Sequence, residues 1–184
     1  LLSGAHYALD ALAAIAAARH AGVPAGDAAR ILGAFHGTRR RFEPVGEARG
    51  VVIVDDYGHH PTEIRATLRA ARERHAGDLW CVFQPHTANR TERLFEAFAA
   101  AFGDADHVLV LPIYHPAGRE QEEQSVTSEA LVAAMDHPDA RKVGSLEDAV
   151  AVLEREAGRG AMVITMGAGD VNRVGRELFE RLRQ

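Results

Sequence analysis

The sequence predicts an α/β protein built on a doubly wound, mainly parallel sheet with helices on both faces. Three observations carry that expectation. Short continuous apolar runs recur through the last two thirds of the chain, as strands covered on both faces require. Segments of helical length separate those runs, the alternation that builds a parallel sheet. Polar residues gather directly after several of the runs, where the crevice of such a sheet opens.

The elements follow in order. From Ala8 to Arg19 the chain is nearly all alanine, leucine and isoleucine, and Gly22 followed by Pro24 supplies the stop of a helix. A second short helix is expected over Ala25–Phe35, ending before Gly37. Arg39-Arg40-Arg41-Phe42-Glu43-Pro44 is a basic connector whose proline favours an extended path. A domain boundary is expected here, dividing residues 1–42 from residues 43–184. Val51-Val52-Ile53-Val54 is then the first strand, and Pro61 to Arg74 a helix with proline near its start and Thr62 close to the cap. Leu79–Phe83 is the next strand and Arg90–Phe102 the next helix. Strands recur at His107–Leu111, around Arg141–Val143 and at Ala161–Met166; helices recur at Thr127–Met135, Leu146–Ala157 and Asp170–Leu182.

Composition narrows the function. The chain has 184 residues, 47% hydrophobic and 26% charged, in the range of a soluble globular protein. Its 21 Lys+Arg against 26 Asp+Glu leave a net charge of -5 and no polybasic field, so a nucleic-acid partner is not expected. The run Arg39-Arg40-Arg41 is enough for one phosphate group but too short to track a duplex. The single cysteine, Cys81, sits between Trp80 and Val82 and reads as a small buried hydrophobe rather than a nucleophile. A lone thiol excludes a disulfide framework and fits a reducing cytosol, so a cytoplasmic location is expected. No apolar stretch reaches the ~18–20 residues of a membrane span. The chain begins without methionine, directly in a helical pattern, and is expected to be a portion of a longer protein.

Chemistry is concentrated after three strands. Asp55-Asp56-Tyr57-Gly58-His59-His60-Pro61 places two carboxylates, a phenol and two imidazoles at one strand end, where unpaired burial would be costly; a crevice-facing placement is expected. The plainer alternative is that Asp55 and Asp56 cap the helix and the histidines are exposed. Adjacent aspartate and histidine can ligate zinc, but neighbouring side chains on an extended segment diverge, and no metal site is expected. After the second strand, Phe83-Gln84-Pro85-His86-Thr87-Ala88-Asn89-Arg90-Thr91 puts an arginine near a helix start. The helix dipole opposes it there unless it binds an anion; the alternative is a salt bridge with Glu92 or Glu96. After the last strand, Met166-Gly167-Ala168-Gly169-Asp170 has neither the phosphate-loop nor the dinucleotide spacing, and its glycines are expected to serve tight strand–helix packing.

Taken together, Val54–Glu63, Phe83–His86 with Arg90-Thr91, and Thr165–Asp170 resemble the Mur ligase family, ATP-dependent amino-acid ligases of bacterial cell-wall synthesis, and in particular its members that join L-alanine to UDP-N-acetylmuramate. Phe35–Glu43 resembles that family's linker between its central and C-terminal domains. Gly4-Ala5-His6 leading into Ala11-Leu12-Ala13-Ala14 resembles the last helices of the central domain. The resemblance implies a Rossmann-like C-terminal domain in residues 43–184, after helices of the central ATPase domain. It implies that ATP activates a substrate carboxylate as an acyl phosphate, which the amine of the incoming amino acid attacks. Arg41 and Asp56 then match positions that contact the ATP ribose and phosphates, and Tyr57, His59, His86 and Arg90 match the region that receives alanine. No catalytic residue is assigned within the chain. The family's phosphate-binding loop and magnesium carboxylates are expected upstream of residue 1, so ATP and magnesium are held mainly by the rest of the parent chain, and these 184 residues alone are expected to be inactive.

Three departures bear on function. The family's His-Asn-x-x-Asn appears as His6-Tyr7-Ala8-Leu9-Asp10, its His-Arg-Tyr-x-Arg as His86-Thr87-Ala88-Asn89-Arg90, and its Tyr-x-Ala-Gly-Glu as Tyr114–Glu120 with an extra residue. A charge-assisted contact contributes about 1.5–3 kcal/mol, so threonine in place of an arginine at 87 weakens amino-acid binding by roughly tenfold or more. Alternatives to the ligase reading are a divergent ligase for another amino acid, a non-catalytic module binding a small anion or nucleotide, and a structural domain whose polar loops mark an interdomain face.

Overall fold

The computed structural model describes residues 4–35, 37–116 and 126–184, without the side chain of His6. His36 of the linker pattern, the His6 side chain and the part of the Tyr114–Glu120 pattern beyond Pro116 lie outside the described residues. The chain divides into two compact units, Leu1–Arg39 and Arg40–Gln184.

The first unit holds α1 (Ala5–His20) and α2 (Ala25–Gly33). Alanine and leucine favour helix throughout α1, which closes on Gly22 at φ 88, the left-handed turn that glycine supplies without penalty. Pro24 precedes α2, where its missing N–H leaves no intrahelical bond unmade. Ala28 is buried, whereas Leu9, Leu12, Ile31 and Phe35 are exposed.

The second unit holds β1 (Glu43–Ala48), β2 (Val51–Asp56), α3 (Pro61–Arg72), β3 (Leu79–Phe83), α4 (Ala88–Arg93), α5 (Phe95–Ala99), β4 (His107–Val110), α6 (Ser128–Ala134), β5 (Ala140–Lys142), α7 (Leu146–Glu156), β6 (Met162–Met166) and α8 (Asn172–Arg183). The six strands form one sheet in the order β1-β2-β6-β3-β4-β5, with β1 antiparallel to β2 and every other pairing parallel. This is the doubly wound, mainly parallel α/β fold expected from the alternation.

Alternate residues of each strand feed two cores. Ile53, Trp80, Val82, Leu109 and Val163 pack with Leu153, Val174 and Leu178, so α7 and α8 cover one face. Val54, Cys81, Phe83, Val108 and Ile164 pack with Ile64, Leu68, Phe98 and Leu131, so α3, α5 and α6 cover the other. Cys81 is fully buried, and that burial, with the nearby Asp56 charge, pushes its thiol far above the usual range, which makes it an inert core residue.

Two elements differ from expectation. The connector's extended path through Pro44 is an edge strand, β1, whose register slips between Pro44 and Gly46. Proline is tolerated there because an edge strand has one unpaired side. Gly46 also admits the Phe179 ring, which a Cβ would meet at 2.4 Å. The helix expected over residues 90–102 is instead α4 and α5, broken at Leu94 with φ -116 and ψ 20. Among the described residues no helix is long and apolar enough to cross a membrane.

Candidate functional site

Strands β2, β6 and β3 are neighbours and run parallel, so their carboxyl ends deliver residues 57–60, 167–170 and 84–91 to one edge of the sheet. The path crosses from β2 to β3 and returns later to fill the gap with β6, which makes this edge a switch point of the kind that holds ligands in open α/β sheets. Backbone bonds continue past the strands: Gly167 N–H donates to the Asp56 carbonyl at 3.2 Å and Gln84 N–H to that of Met166 at 3.0 Å. Tyr114, after β4, joins the same edge through Tyr114 N–H to the Pro85 carbonyl at 2.8 Å and Thr87 N–H to the Tyr114 carbonyl at 3.0 Å.

The turn after β2 is organised by carboxylates. Asp56 is 2% exposed; one oxygen accepts Gly58 N–H at 2.7 Å and the other accepts Phe42 N–H at 2.8 Å. Burial raises its pKa above the usual carboxylate value, against the pull of those two N–H groups and Arg41. Asp55, also buried, accepts from Thr165 Oγ1 at 2.7 Å and Arg40 Nε at 2.9 Å. Neither aspartate caps α3. His60 does: its Nδ1 accepts Thr62 N–H at 3.2 Å, while the Glu63 carboxylate reaches back to the N–H groups of His59 at 3.0 Å and His60 at 3.1 Å. Burial alone would raise Glu63; the His59 and His60 N–H groups, with the charges of His59 and Arg41, outweigh it and hold this carboxyl below its ordinary range.

Above the carboxylates runs a row of rings. Tyr57 meets His59 edge-on at 5.3 Å, His59 lies 6.1 Å from His86, and His86 stacks on Tyr114 at 5.5 Å and 22°. The Arg40 and Arg41 guanidiniums sit over the Tyr57 ring at 5.1 and 5.8 Å. Arg41 is half-exposed and, besides the Tyr57 ring, its guanidinium meets Glu63, Nη1 to Oε1 at 3.4 Å. The structure thus brings Arg41, Tyr57, His59 and His86 together, with Asp56 beneath them.

Arg90 stands on α4, and no hydrogen bond, ion pair or ring contact joins it to the row among the described residues. Nor does an ion pair link it to Glu92 or Glu96, the partners that would have explained it structurally. Its Nη1 is buried without a hydrogen-bond partner. A buried guanidinium donor in that condition is one that a carboxylate or phosphate would satisfy. Thr87, just before α4, has φ 66 and ψ 139, a backbone conformation that β-branched residues rarely adopt.

The turn after β6 packs closely on Gln84 and Tyr114. Val171 N–H donates to Gln84 Oε1 at 3.2 Å, and Gln84 Nε2 donates to Asp170 Oδ1 at 2.8 Å. A Cβ on Gly169 would lie 2.3 Å from Gln84 Oε1 and 2.7 Å from Tyr114 Cγ. The glycines therefore serve close packing, as expected. Sequence reasoning did not single out Arg40, Gln84 and Tyr114, whose side-chain partners lie far along the chain. Among the described residues no three His, Cys, Asp or Glu side chains converge as a metal-binding set.

The chain is similar to known proteins in sequence and in fold. Residues 40–169 match the glutamate ligase domain of the Mur ligases. A UDP-N-acetylmuramate–L-alanine ligase of Anaeromyxobacter sp. (strain Fw109-5) is 46% identical over 181 residues, covering 97% of this chain and 39% of its own length. The crystal structure of UDP-N-acetylmuramate–alanine ligase from Thermotoga maritima matches with a TM-score of 0.73 at 26% identity, over 98% of this chain and 38% of that one. A murein peptide ligase from Psychrobacter arcticus matches with a TM-score of 0.74 at 28% identity, over 100% and 38%. The chain spans about two fifths of the length of the curated relatives it matches.

Proposed function

We propose that this chain, which belongs to the Mur ligase family, supplies the C-terminal wall of an ATP-dependent ligase that joins L-alanine to UDP-N-acetylmuramate in the cytoplasm, on the way to peptidoglycan. The observation that carries the proposal is the convergence of three strand ends on one edge, where Arg41 and the Tyr57–His59–His86 row meet above buried carboxylates. In this reading residues 1–42 are the last helices of the central ATPase domain plus the linker, and residues 43–184 form the C-terminal domain.

Arg41 fits an ATP phosphate, because its half-exposed guanidinium holds a long 3.4 Å contact to Glu63 and lies over the Tyr57 ring, both of which it can keep or exchange for an anion. The geometry supports an indirect role for Asp56. It is buried, with each oxygen on a backbone N–H group, so it serves the nucleotide by fixing Phe42 and Gly58 rather than by reaching the ribose. Tyr57, His59 and His86 form the side of the pocket that admits the small amino acid, and the unpaired Nη1 of Arg90 receives its carboxylate. Bound ATP supplies the phosphoryl group that activates the substrate carboxylate, with magnesium held by the upstream part of the parent. This chain's residues contribute orientation and charge neutralisation. Thr87, where the family has an arginine, favours one second reading: a ligase of the same class whose amine substrate is a different amino acid.

The test is ligation by the full-length parent. With UDP-N-acetylmuramate, ATP and magnesium, ADP release should depend on L-alanine, and the 184-residue chain alone should release none. Arg90→Ala is expected to raise the KM for the amino acid roughly tenfold or more, the loss of one charge-assisted contact, with a smaller effect on the KM for ATP. Equal effects on both would remove Arg90 from the amino-acid pocket.

A further inference from the structure

We propose that Arg40 is a positioning residue that latches the linker onto the sheet edge and so aims Arg41 into the site. The inference rests on the role proposed above for Arg41.

Each nitrogen of Arg40, and its carbonyl, has a partner. Its Nε donates to Asp55 Oδ2 at 2.9 Å, its Nη1 to the Gly169 carbonyl at 3.1 Å and its Nη2 to the Gly167 carbonyl at 2.8 Å. Its backbone N–H donates to Glu43 Oε2 at 2.7 Å, and its carbonyl accepts Tyr57 N–H at 2.6 Å. Its guanidinium also lies over the Tyr57 ring. One side chain thereby ties the linker to the end of β2, to the β6–α8 turn and to the first ring of the row. All three of its guanidinium nitrogens are engaged by the protein, whereas Arg41 offers a single 3.4 Å hydrogen bond.

The backbone explains why a latch is needed. Arg40 at φ 56 and Phe42 at φ 50 are both left-handed, a conformation that non-glycine residues hold only when their surroundings impose it. Arg40 is held by the bonds just given. Phe42 is held by Asp56 through its N–H and by its ring, which packs against the α3 side of the core. Arg41, between the two held residues, is turned toward Tyr57 and Glu63. Three acceptors lying in different directions around a planar fork suit guanidinium, and a single ammonium cannot span them.

Hydrogen exchange on the 184-residue chain tests the latch through two amides, Phe42 N–H and Tyr57 N–H. Arg40→Lys should speed exchange of both by tenfold or more while the amides of α7 keep their protection. Unchanged exchange at Phe42 and Tyr57 would overturn the proposal. In the full-length ligase, Arg40→Lys should raise the KM for ATP severalfold in the wild-type background and have no effect once Arg41→Ala is present. Independent effects in the two backgrounds would also overturn it. Should the wild-type parent join no amino acid, the functional reading falls, while the exchange measurement still decides the latch.

Discussion

Asp56 and Glu63 stand seven positions apart in sequence and respond oppositely to pH. Burial raises the folded pKa of Asp56, so its contribution to stability is complete below its unfolded value and is lost as pH rises through the folded one. The folded pKa of Glu63 is lowered, so its contribution is present above the unfolded value of 4.5 and is lost as pH falls below it. Thermal unfolding across pH 3 to 7 should therefore show a shallower acid-side decline for Glu63→Gln and a steeper one for Asp56→Asn. At pH 7, Asp56→Asn should also lower stability by about 1–3 kcal/mol, because an amide nitrogen cannot accept and one of the Gly58 and Phe42 N–H groups loses its partner. An unchanged urea midpoint would remove the organising role given to Asp56. At this scale the sequence showed that the two aspartates needed partners but not who those partners were. Thr165 lies 110 positions from Asp55, and Phe42 lies 14 from Asp56 in a segment whose turn is left-handed.

The turn elements carry the site's tolerances. Thr87 precedes α4 in a conformation suited to glycine, which costs of order 1–3 kcal/mol for other residues. Thr87→Gly is expected to raise stability by about 1 kcal/mol after the extra flexibility of glycine in the unfolded chain is subtracted, read as a higher urea midpoint. A lower midpoint would show that contacts of the threonine side chain exceed the strain. Gly169→Ala should act the other way, losing about 1–3 kcal/mol through overpacking against Gln84 and Tyr114. The ring resonances of His86 and Tyr114 should shift with it, since their stack leans on that turn. The strand–turn–helix order was legible because periodicity and glycine placement are local. The β1 strand and the break at Leu94 were not, because an edge strand containing Pro44 and Gly46 is stabilised by its pairing with β2 and by Phe179 rather than by its own pattern.

For the molecule as a whole, the two cores contain residues only from Phe42 onward, while in the first unit Ala28 is the one buried hydrophobic residue among those described. Local stability follows buried apolar contact, so amides of α1 should exchange roughly a hundredfold or more faster than those of β3 and β6. Residues 40–184 expressed alone should unfold at the same urea midpoint as the full 184-residue chain; a markedly lower midpoint would show that the helices of the first unit stabilise the sheet. By itself the sequence determined the α/β class, the position of most strands and helices, and the three polar segments that carry the family likeness, because apolar period, breaker residues and motif spacing are properties of neighbouring positions. Only the tertiary structure decided that β6 lies between β2 and β3, that Arg40 is the bound arginine of its run and Arg41 the available one, and that Tyr114 completes the ring row. Those outcomes depend on which strand ends become neighbours, and that is settled by burying both faces of one sheet at once rather than by any local pattern.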